Sequence, residues 1–326
     1  MTKVSIIIPT YNRLTRLKQV IAAIEHQTYA LDDVEVIVVS DGSTDGTDAY
    51  LSTIKTSLNL RYVLQQNAGP AAARNNGIRN AQGDIILFID DDVVPSPQLL
   101  TEHMRIHTNR PNMVVLGPML NPPDFVFSPW VAWEQAMLEK QYNAMQQGKF
   151  STTARQFYTG NTSLPRHILL LSGGFDERFR RAEDIELAYR LNQHEIEFMF
   201  IMTAVGYHYA ERSFNSWIQT PYSYGRHDIT FSREGQDNIM SFITEEFSLR
   251  NRFTRLIVTI CLDRTYLSKI ILTTAKWIAD ISYKTGIRGK KISQVAYSAI
   301  FNLRYYQGIA DELGGRDVFF DSMNTN

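Results

Sequence analysis

The chain has 326 residues, 44% of them hydrophobic, and a net charge of -1. Its length suits a large core or two lobes, and its near-neutral balance gives no general affinity for nucleic acid. A single cysteine, Cys261, excludes an internal disulfide and a cysteine-rich zinc site.

The opening MTKVSIIIPTYNR holds only a few apolar residues before Pro9 and reads as a strand, not a signal peptide. Leu14, Leu17, Ile21 and Ile24 recur at helical spacing, with Asn12 in reach of the N-cap role. Val34 to Val39 is a second buried strand and ends in SDGSTDGT, a loop of turn and cap residues. Tyr50, Leu51 and Ile54 predict a helix, Arg61 to Leu64 a short strand, and Pro70 the first position of an alanine-rich helix. Gly83 closes that helix, and Ile85 to Ile89 is a fourth strand. Strands alternating with helices predict a doubly wound, mostly parallel α/β sheet, with ligands at the carboxyl ends of its strands. Met113 to Leu120 reads as a strand broken by Pro118, and aromatics crowd residues 121 to 160. GNTSLPRHILLLSGG then reads as loop, short helix and glycine turn, ahead of a helix from Ala182 to Asn192. Ile196 to Ile201 is strand-like, and from Phe231 the chain reads helical. The longest apolar stretch, Tyr266 to Tyr283, is interrupted by Lys269, Lys276 and Asp280, so no membrane span is expected.

Asp90, Asp91 and Asp92 follow the fourth strand directly. Three carboxylates at the mouth of a sheet repel one another unless a cation neutralises them, which points to a hard divalent metal and a ligand carrying phosphates. Asp92 is the expected ligand, directly or with Asp90 through water, leaving Asp91 for the ribose or sugar. Asp41 follows the second strand and is either a turn cap or an acceptor for a base or ribose. Arg74 sits in the first turns of a helix aimed at the ligand edge, as a surface ion pair or a nucleotide contact. Glu183 and Asp184 open a helix whose dipole favours ionised carboxylates, as caps or as a base for sugar transfer. His208 is a core histidine or a third metal ligand. Trp130 and Trp133 are core aromatics or platforms for a pyranose face. No G-x-G-x-x-G is present, which disfavours a nicotinamide dehydrogenase.

The strings VSIIIPTYNR, VEVIVVSDGSTDGT, NAGPAAARNNGIRNAQGDIILFIDDD, GNTSLPR, GGFDERF and AEDIELAYRL jointly resemble the family-2 glycosyltransferases with the GT-A fold, in that family's order across about residues 3 to 210. The resemblance implies an inverting transferase that uses Mn2+ or Mg2+ and a nucleotide-diphosphate sugar, a UDP-sugar above all. By position, Pro9, Thr10, Tyr11, Asp41 and Arg74 line the nucleotide pocket, Asp90 and Asp92 form the acidic metal motif, and His208 matches a metal-binding histidine. Asp184 takes the place of the catalytic base, with Glu183 beside it on the acceptor side. The Q-x-x-R-W motif of processive synthases is missing, so single-sugar addition in bacterial cell-surface polysaccharide or glycolipid synthesis is implied. The competing readings are a sugar-nucleotide pyrophosphorylase, which would normally open with a glycine-rich basic loop, and a non-catalytic nucleotide or glycan binder.

Residues 1–230 are expected to form the GT-A domain, with a nucleotide-sugar half to about 120 and an acceptor half beyond it, and 231–326 a helical extension. Between Arg250 and Ala310 stand eleven basic residues against two acidic ones, set among Ile, Leu, Trp and Tyr. Such a segment suits an anionic membrane surface or a packed lobe with a solvated basic face. A cytoplasmic protein with a peripheral contact at the inner face of the cell membrane is the expectation.

Overall fold

A computed structural model of the chain describes residues 3–194, 196–233 and 238–324. Its first half alternates β1 (Val4–Thr10), α1 (Leu14–Glu25), β2 (Val34–Asp41), α2 (Thr47–Thr53), β3 (Asn59–Gln65), α3 (Pro70–Asn80) and β4 (Ile85–Ile89). β1, β2 and β4 are buried almost throughout, because helices cover both faces of a parallel sheet. Ile6, Ile8, Val36, Val38 and Leu87 pack with Leu17, Ile21 and Ile24 of α1 on one face. Ile7, Ile37, Val39, Ile86 and Phe88 pack with Ala71, Ala73 and Ile78 of α3 on the other. Each such buried aliphatic side chain contributes about 1.5–3 kcal/mol. A Cβ on Gly77 would stand 2.4 Å from Ile7 Cγ2, so this glycine, with the neighbouring alanines, sets the close approach of α3 to β1.

The chain continues through β5 (Val93–Pro95), α4 (Leu99–Asn109), β6 (Met113–Leu116), β7 (Met119–Leu120), α5 (Pro129–Gln146), β8 (Asn161–Pro165), α6 (Arg166–Leu171), α7 (Glu183–Asn192), β9 (Glu197–Phe200) and β10 (Gly206–His208). Seven strands form one sheet in the order β3-β2-β1-β4-β8-β6-β9. Only β8 runs against its neighbours, Ile89 opposing Asn161 and Leu116 opposing Thr162. A second sheet of three strands runs β5-β10-β7.

Two local expectations change and one is refined. Asn161–Pro165 within GNTSLPR is a fully buried central strand, not a loop. The apolar run at 113–120 divides between the two sheets, since Pro118 cannot donate to a ladder. Asn12 does not cap α1, whose N-cap is Arg13; with φ 53 it turns its amide oxygen to the Thr44 N–H at 2.7 Å instead.

Packing divides the chain into two units, one of residues 1–125 and 137–210 and one of 126–136 and 211–326, where the sequence reading starts the extension at 231. The second unit holds α8 (Phe214–Arg233), α9 (Asn238–Leu249), α10 (Arg252–Cys261), α11 (Thr265–Tyr283), α12 (Gly286–Leu313) and α13 (Arg316–Asn324). Trp217 is its centre, edge-on to Trp133 at 5.6 Å and to Tyr297 at 5.8 Å. Gly225 and Gly308 let α8 and α12 touch backbone to backbone, since a Cβ on either would meet a carbonyl oxygen at 2.1 Å.

Candidate active site

The ends of β1 and β2 are tied into one platform. Asn12 N–H donates to Ser43 Oγ at 3.1 Å, and Asp45 accepts from Leu14 N at 2.9 Å and from the Thr47 hydroxyl at 2.6 Å. Thr10 is buried within this edge, Pro9 half-buried, and Tyr11 exposed. Asp41 is buried at the end of β2, and its carboxylate accepts from Gln65 Nε2 and Ala68 N at 2.8 Å and from Gly69 N at 2.9 Å. It therefore organises the loop that leads into α3, and a ligand on Asp41 would share oxygens already in use.

The acidic run leaves β4 as a tight turn, with Val93 N donating to Asp90 O at 3.0 Å. The three carboxylates diverge. Asp90 Oδ1 accepts from Arg74 Nη2 at 2.8 Å. Asp91 and Asp92 are buried, and the Arg13 guanidinium reaches both, bonding Asp92 directly and standing 3.8 Å from Asp91. Loss of water and the charge of Asp92 push Asp91 up to about 7, with Arg13 opposing. Burial works against the charge on Arg13, but Asp92 and Asp91 more than offset it and hold its pKa above the usual value. Nothing in the local pattern marked Arg13, because its role depends on a turn 78 residues further on.

Arg74 is the buried hinge of the site. Besides Asp90 it bonds Glu183 Oε1 at 2.8 Å, tying α3 to the start of α7. Ala182, ahead of α7, takes a left-handed φ of 59, a conformation that costs a non-glycine residue about 1–2 kcal/mol. It swings Glu183 onto Arg74, with Asp184 at the next position. Desolvation and the charge of Glu183 raise the Asp184 pKa, opposed by Arg74 and by the Ile185 N–H at 2.9 Å.

His208 lies in the register pair of β10 with Val93, and Tyr209 N donates to Asp92 O at 2.9 Å. These backbone bonds bring His208 Nε2 to 3.6 Å from Asp92 Oδ1. An imidazole nitrogen and a carboxylate oxygen suit Mn2+ or a similar divalent ion, so this pair fits a metal. Asp90 is turned to Arg74 instead. Among the described residues no group of three or more His, Cys, Asp or Glu is set to enclose an ion. A metal on the pair would complete its shell from ligand or solvent oxygens.

A polar cluster under this edge was not legible beforehand. Asn161, the first residue of β8, donates to Ala204 O at 2.7 Å and Pro118 O at 3.0 Å. His103 Nε2 bonds Asn161 Oδ1 at 2.9 Å, and Ser163 Oγ lies 2.8 Å from His103 and 2.7 Å from His107. Burial pushes both histidines down to about 4, so they serve as neutral braces. Asn161 thereby fixes the segments that carry β7 and β10.

Trp130 and Trp133 belong to the helical unit. Trp133 is 7% exposed and packed on Trp217 and Phe301, which leaves no ring face for a sugar. Trp130 donates its indole N–H to Arg212 O at 3.0 Å and packs on Phe214.

Residues 5–170 match the model of the family described as glycosyl transferase family 2. Among curated relatives, the validoxylamine A glucosyltransferase of Streptomyces hygroscopicus subsp. jinggangensis is 35% identical over 218 residues, 59% of this chain and 52% of that protein. The chondroitin synthase of Escherichia coli is 28% identical over 235 residues, 63% of this chain and 34% of that one. The chain thus spans about half the length, or less, of these relatives. Among solved structures, S. aureus TarS 1-349 in complex with UDP-GlcNAc has a TM-score of 0.59 at 18% identity, covering 94% of this chain and 90% of that one. The mannosyltransferase PcManGT from Pyrobaculum calidifontis, in complex with GDP-Man and Mn2+, has a TM-score of 0.58 at 19% identity, covering 91% and 86%. With the sheet order and the matched segment together, the chain belongs to glycosyl transferase family 2.

Proposed function

We propose that the protein is an inverting glycosyltransferase that moves one sugar from a nucleotide-diphosphate donor to an acceptor hydroxyl in bacterial glycan or glycolipid synthesis. The observation that carries this is the buried Arg74, which bonds the acidic run through Asp90 and the head of α7 through Glu183. It couples a diphosphate-facing edge to a carboxylate poised as a base. Asp184 is that base. It takes the acceptor proton as the hydroxyl oxygen attacks the anomeric carbon, the bond to the diphosphate breaks on the opposite face, and the configuration inverts. A pKa raised toward working pH suits this role, since the group still ionises yet holds a proton well. Arg74 steadies Glu183 and Asp90 so that neither drifts toward Asp184. Thr10, Tyr11 and Asp41 border the nucleotide, and Asp91 faces its ribose or sugar.

Asp92 and His208 would hold Mn2+ or Mg2+, which would supply positive charge to the departing diphosphate. A UDP-sugar is the proposed donor; the neighbouring TarS structure holds UDP-GlcNAc and the mannosyltransferase GDP-Man with Mn2+, which supports a sugar nucleotide and a divalent ion. Hydrolysis and transfer measured across UDP-, GDP- and dTDP-sugars with Mn2+ test the assignment, and no turnover of any donor would reject it.

The helical unit is proposed to rest on an anionic membrane surface at the cytoplasmic side. Among the described residues no helix is long and apolar enough to cross a membrane. α11 nevertheless exposes Tyr266, Ile270, Trp277 and Ile281 along one side, with Lys269, Lys284, Lys290 and Lys291 also exposed nearby in sequence. The side chain of Arg288 lies outside the described residues. Sedimentation with phosphatidylglycerol vesicles tests this, and no binding at low salt would reject it.

A further inference from the structure

The helical unit contains a cleft of about 1040 Å³ between α8, α11 and α12. Four cations line it, Arg264, Lys269, Lys276 and Arg304, against two carboxylates, Asp263 and Asp311. Both carboxylates are already engaged, Asp311 by the Tyr222 hydroxyl at 2.7 Å and Asp263 by the Arg316 N–H. Lys276 is paired with Asp280. The other three cations have no carboxylate within ion-pair distance among the described residues.

Arg304 is the built part of this wall. Its guanidinium lies 4.4 Å over the Tyr222 ring, donates to Gln307 Oε1 at 2.8 Å and Ile218 O at 3.3 Å, and is half-buried. Gln307 in turn donates to Ser268 Oγ at 2.8 Å, so the fork is held from behind. Burial holds Arg304 below the usual arginine value, with Tyr222 and Asp311 opposing. A guanidinium fixed in this way, partly dehydrated and with no carboxylate in ion-pair contact among the described residues, can turn its remaining N–H donors to a phosphate oxyanion. Arg264 and Lys269, exposed at the first turns of α11, add mobile positive charge. Phe214, Ile218 and Leu272 supply apolar wall. The volume exceeds what one phosphate needs and matches a small-molecule site.

We infer that this cleft binds a phosphate monoester or pyrophosphate carried on a partly apolar body, at a site separate from the sugar-nucleotide edge. The position is not shared with lipid contact by chance of charge alone: on α11 the cleft takes residues 265, 268, 269, 272, 273 and 276, whereas the exposed apolar side takes 266, 270, 277 and 281. One helix thus presents two adjacent faces, one for a phosphate group and one for an apolar medium.

The test is calorimetry in EDTA, so that no divalent ion joins in, with octyl phosphate, inorganic phosphate and inorganic pyrophosphate as probes. Wild type is compared with Arg264→Glu/Lys269→Glu, which alters only exposed positions, and with Arg304→Gln. Both variants are expected to bind at least about tenfold more weakly, with wild-type binding falling as salt rises and octyl phosphate exceeding inorganic phosphate. An unchanged thermal melting profile for the double variant shows that the fold is intact. Equal affinity in wild type and the double variant, or no wild-type binding at millimolar probe, overturns the assignment. Vesicles with and without phosphatidylglycerol identify the source: binding lost with the double variant supports a lipid headgroup, and vesicle binding retained while octyl phosphate binding is lost supports a free phosphate compound. Asp184→Asn and Asp92→Ala are expected to leave probe binding unchanged, so the result stands or falls apart from sugar transfer.

Discussion

Replacing Arg74 by methionine keeps most of its volume and removes its charge. In the folded protein Arg74 and Glu183 side chains are only 6% and 10% exposed, so Glu183 would be left as a buried, unpaired carboxylate. Removing one partner of such a pair typically costs about 3–5 kcal/mol. Asp90, at 33% side-chain exposure, can turn to water and adds little. The expected loss is therefore about 3–5 kcal/mol, a large part of the stability of an ordinary domain. Its pH dependence is the sharper test. Arg74 lowers the Asp184 pKa, so its removal raises that pKa further in the folded state. A carboxyl with a raised folded pKa contributes stability that is fully present below its unfolded value of about 4 and is lost as pH rises through the folded value. The deficit of Arg74→Met should accordingly widen between about pH 5 and pH 8. Urea unfolding followed by circular dichroism at both pH values measures it. A loss below about 1 kcal/mol, or one that is the same at both, would refute the view of Arg74 as the charge hinge. Adding Glu183→Gln should recover much of the loss, because the stranded charge goes with it.

Asp184→Asn should fold, bind donor as wild type does and lose about 10²–10⁴-fold in kcat, and near-normal turnover would remove Asp184 from the mechanism. In the wild type, the acid limb of kcat/KM should lie above the ordinary aspartate range, because the base must be ionised and its pKa is raised; a limb near pH 4 would contradict that. Asp92→Ala and His208→Ala should each weaken Mn2+-dependent binding of the nucleoside diphosphate in calorimetry by about tenfold or more, and an unaltered metal dependence would place the ion elsewhere. Arg13→Ala should tighten Mn2+ binding in the absence of nucleotide, by about tenfold at most since the guanidinium is partly solvated, because Asp92 is released from its ion pair. Gly77→Ala should cost about 1–3 kcal/mol of stability, since its Cβ would overlap Ile7; a neutral result would mean that α3 can slide outward freely.

The doubly wound half was legible because its signals are local. Val4 to Pro9, Val34 to Val39 and Ile85 to Ile89 are apolar runs between helix signals, and the residues that follow them carried Asp41 and the three aspartates to one edge. Where polar residues are satisfied from far away, local reading failed. Asn161 and Ser163 look like loop residues, yet they are buried strand because His103 and His107 of α4 and the carbonyls of Pro118 and Ala204 meet their polar groups. Arg13 and Asn12 likewise have their partners 31 to 79 residues away. Trp133 shows the reverse: an aromatic in a loosely patterned stretch reads as core or platform alike, and only its packing on Trp217 and Phe301 places it in the core.

The pairing of Val93 with His208 has an architectural consequence. The spacing of the Asp92–His208 pair is written in main-chain bonds rather than in the side chains around it. Loops in the chain between the two strands can therefore lengthen or shorten without retuning that spacing, so long as β7 and Asn161 keep their bonds to the β10 segment. A slip of one residue between β5 and β10, by contrast, would send the imidazole to the opposite face of the small sheet and dismantle the pair at a stroke.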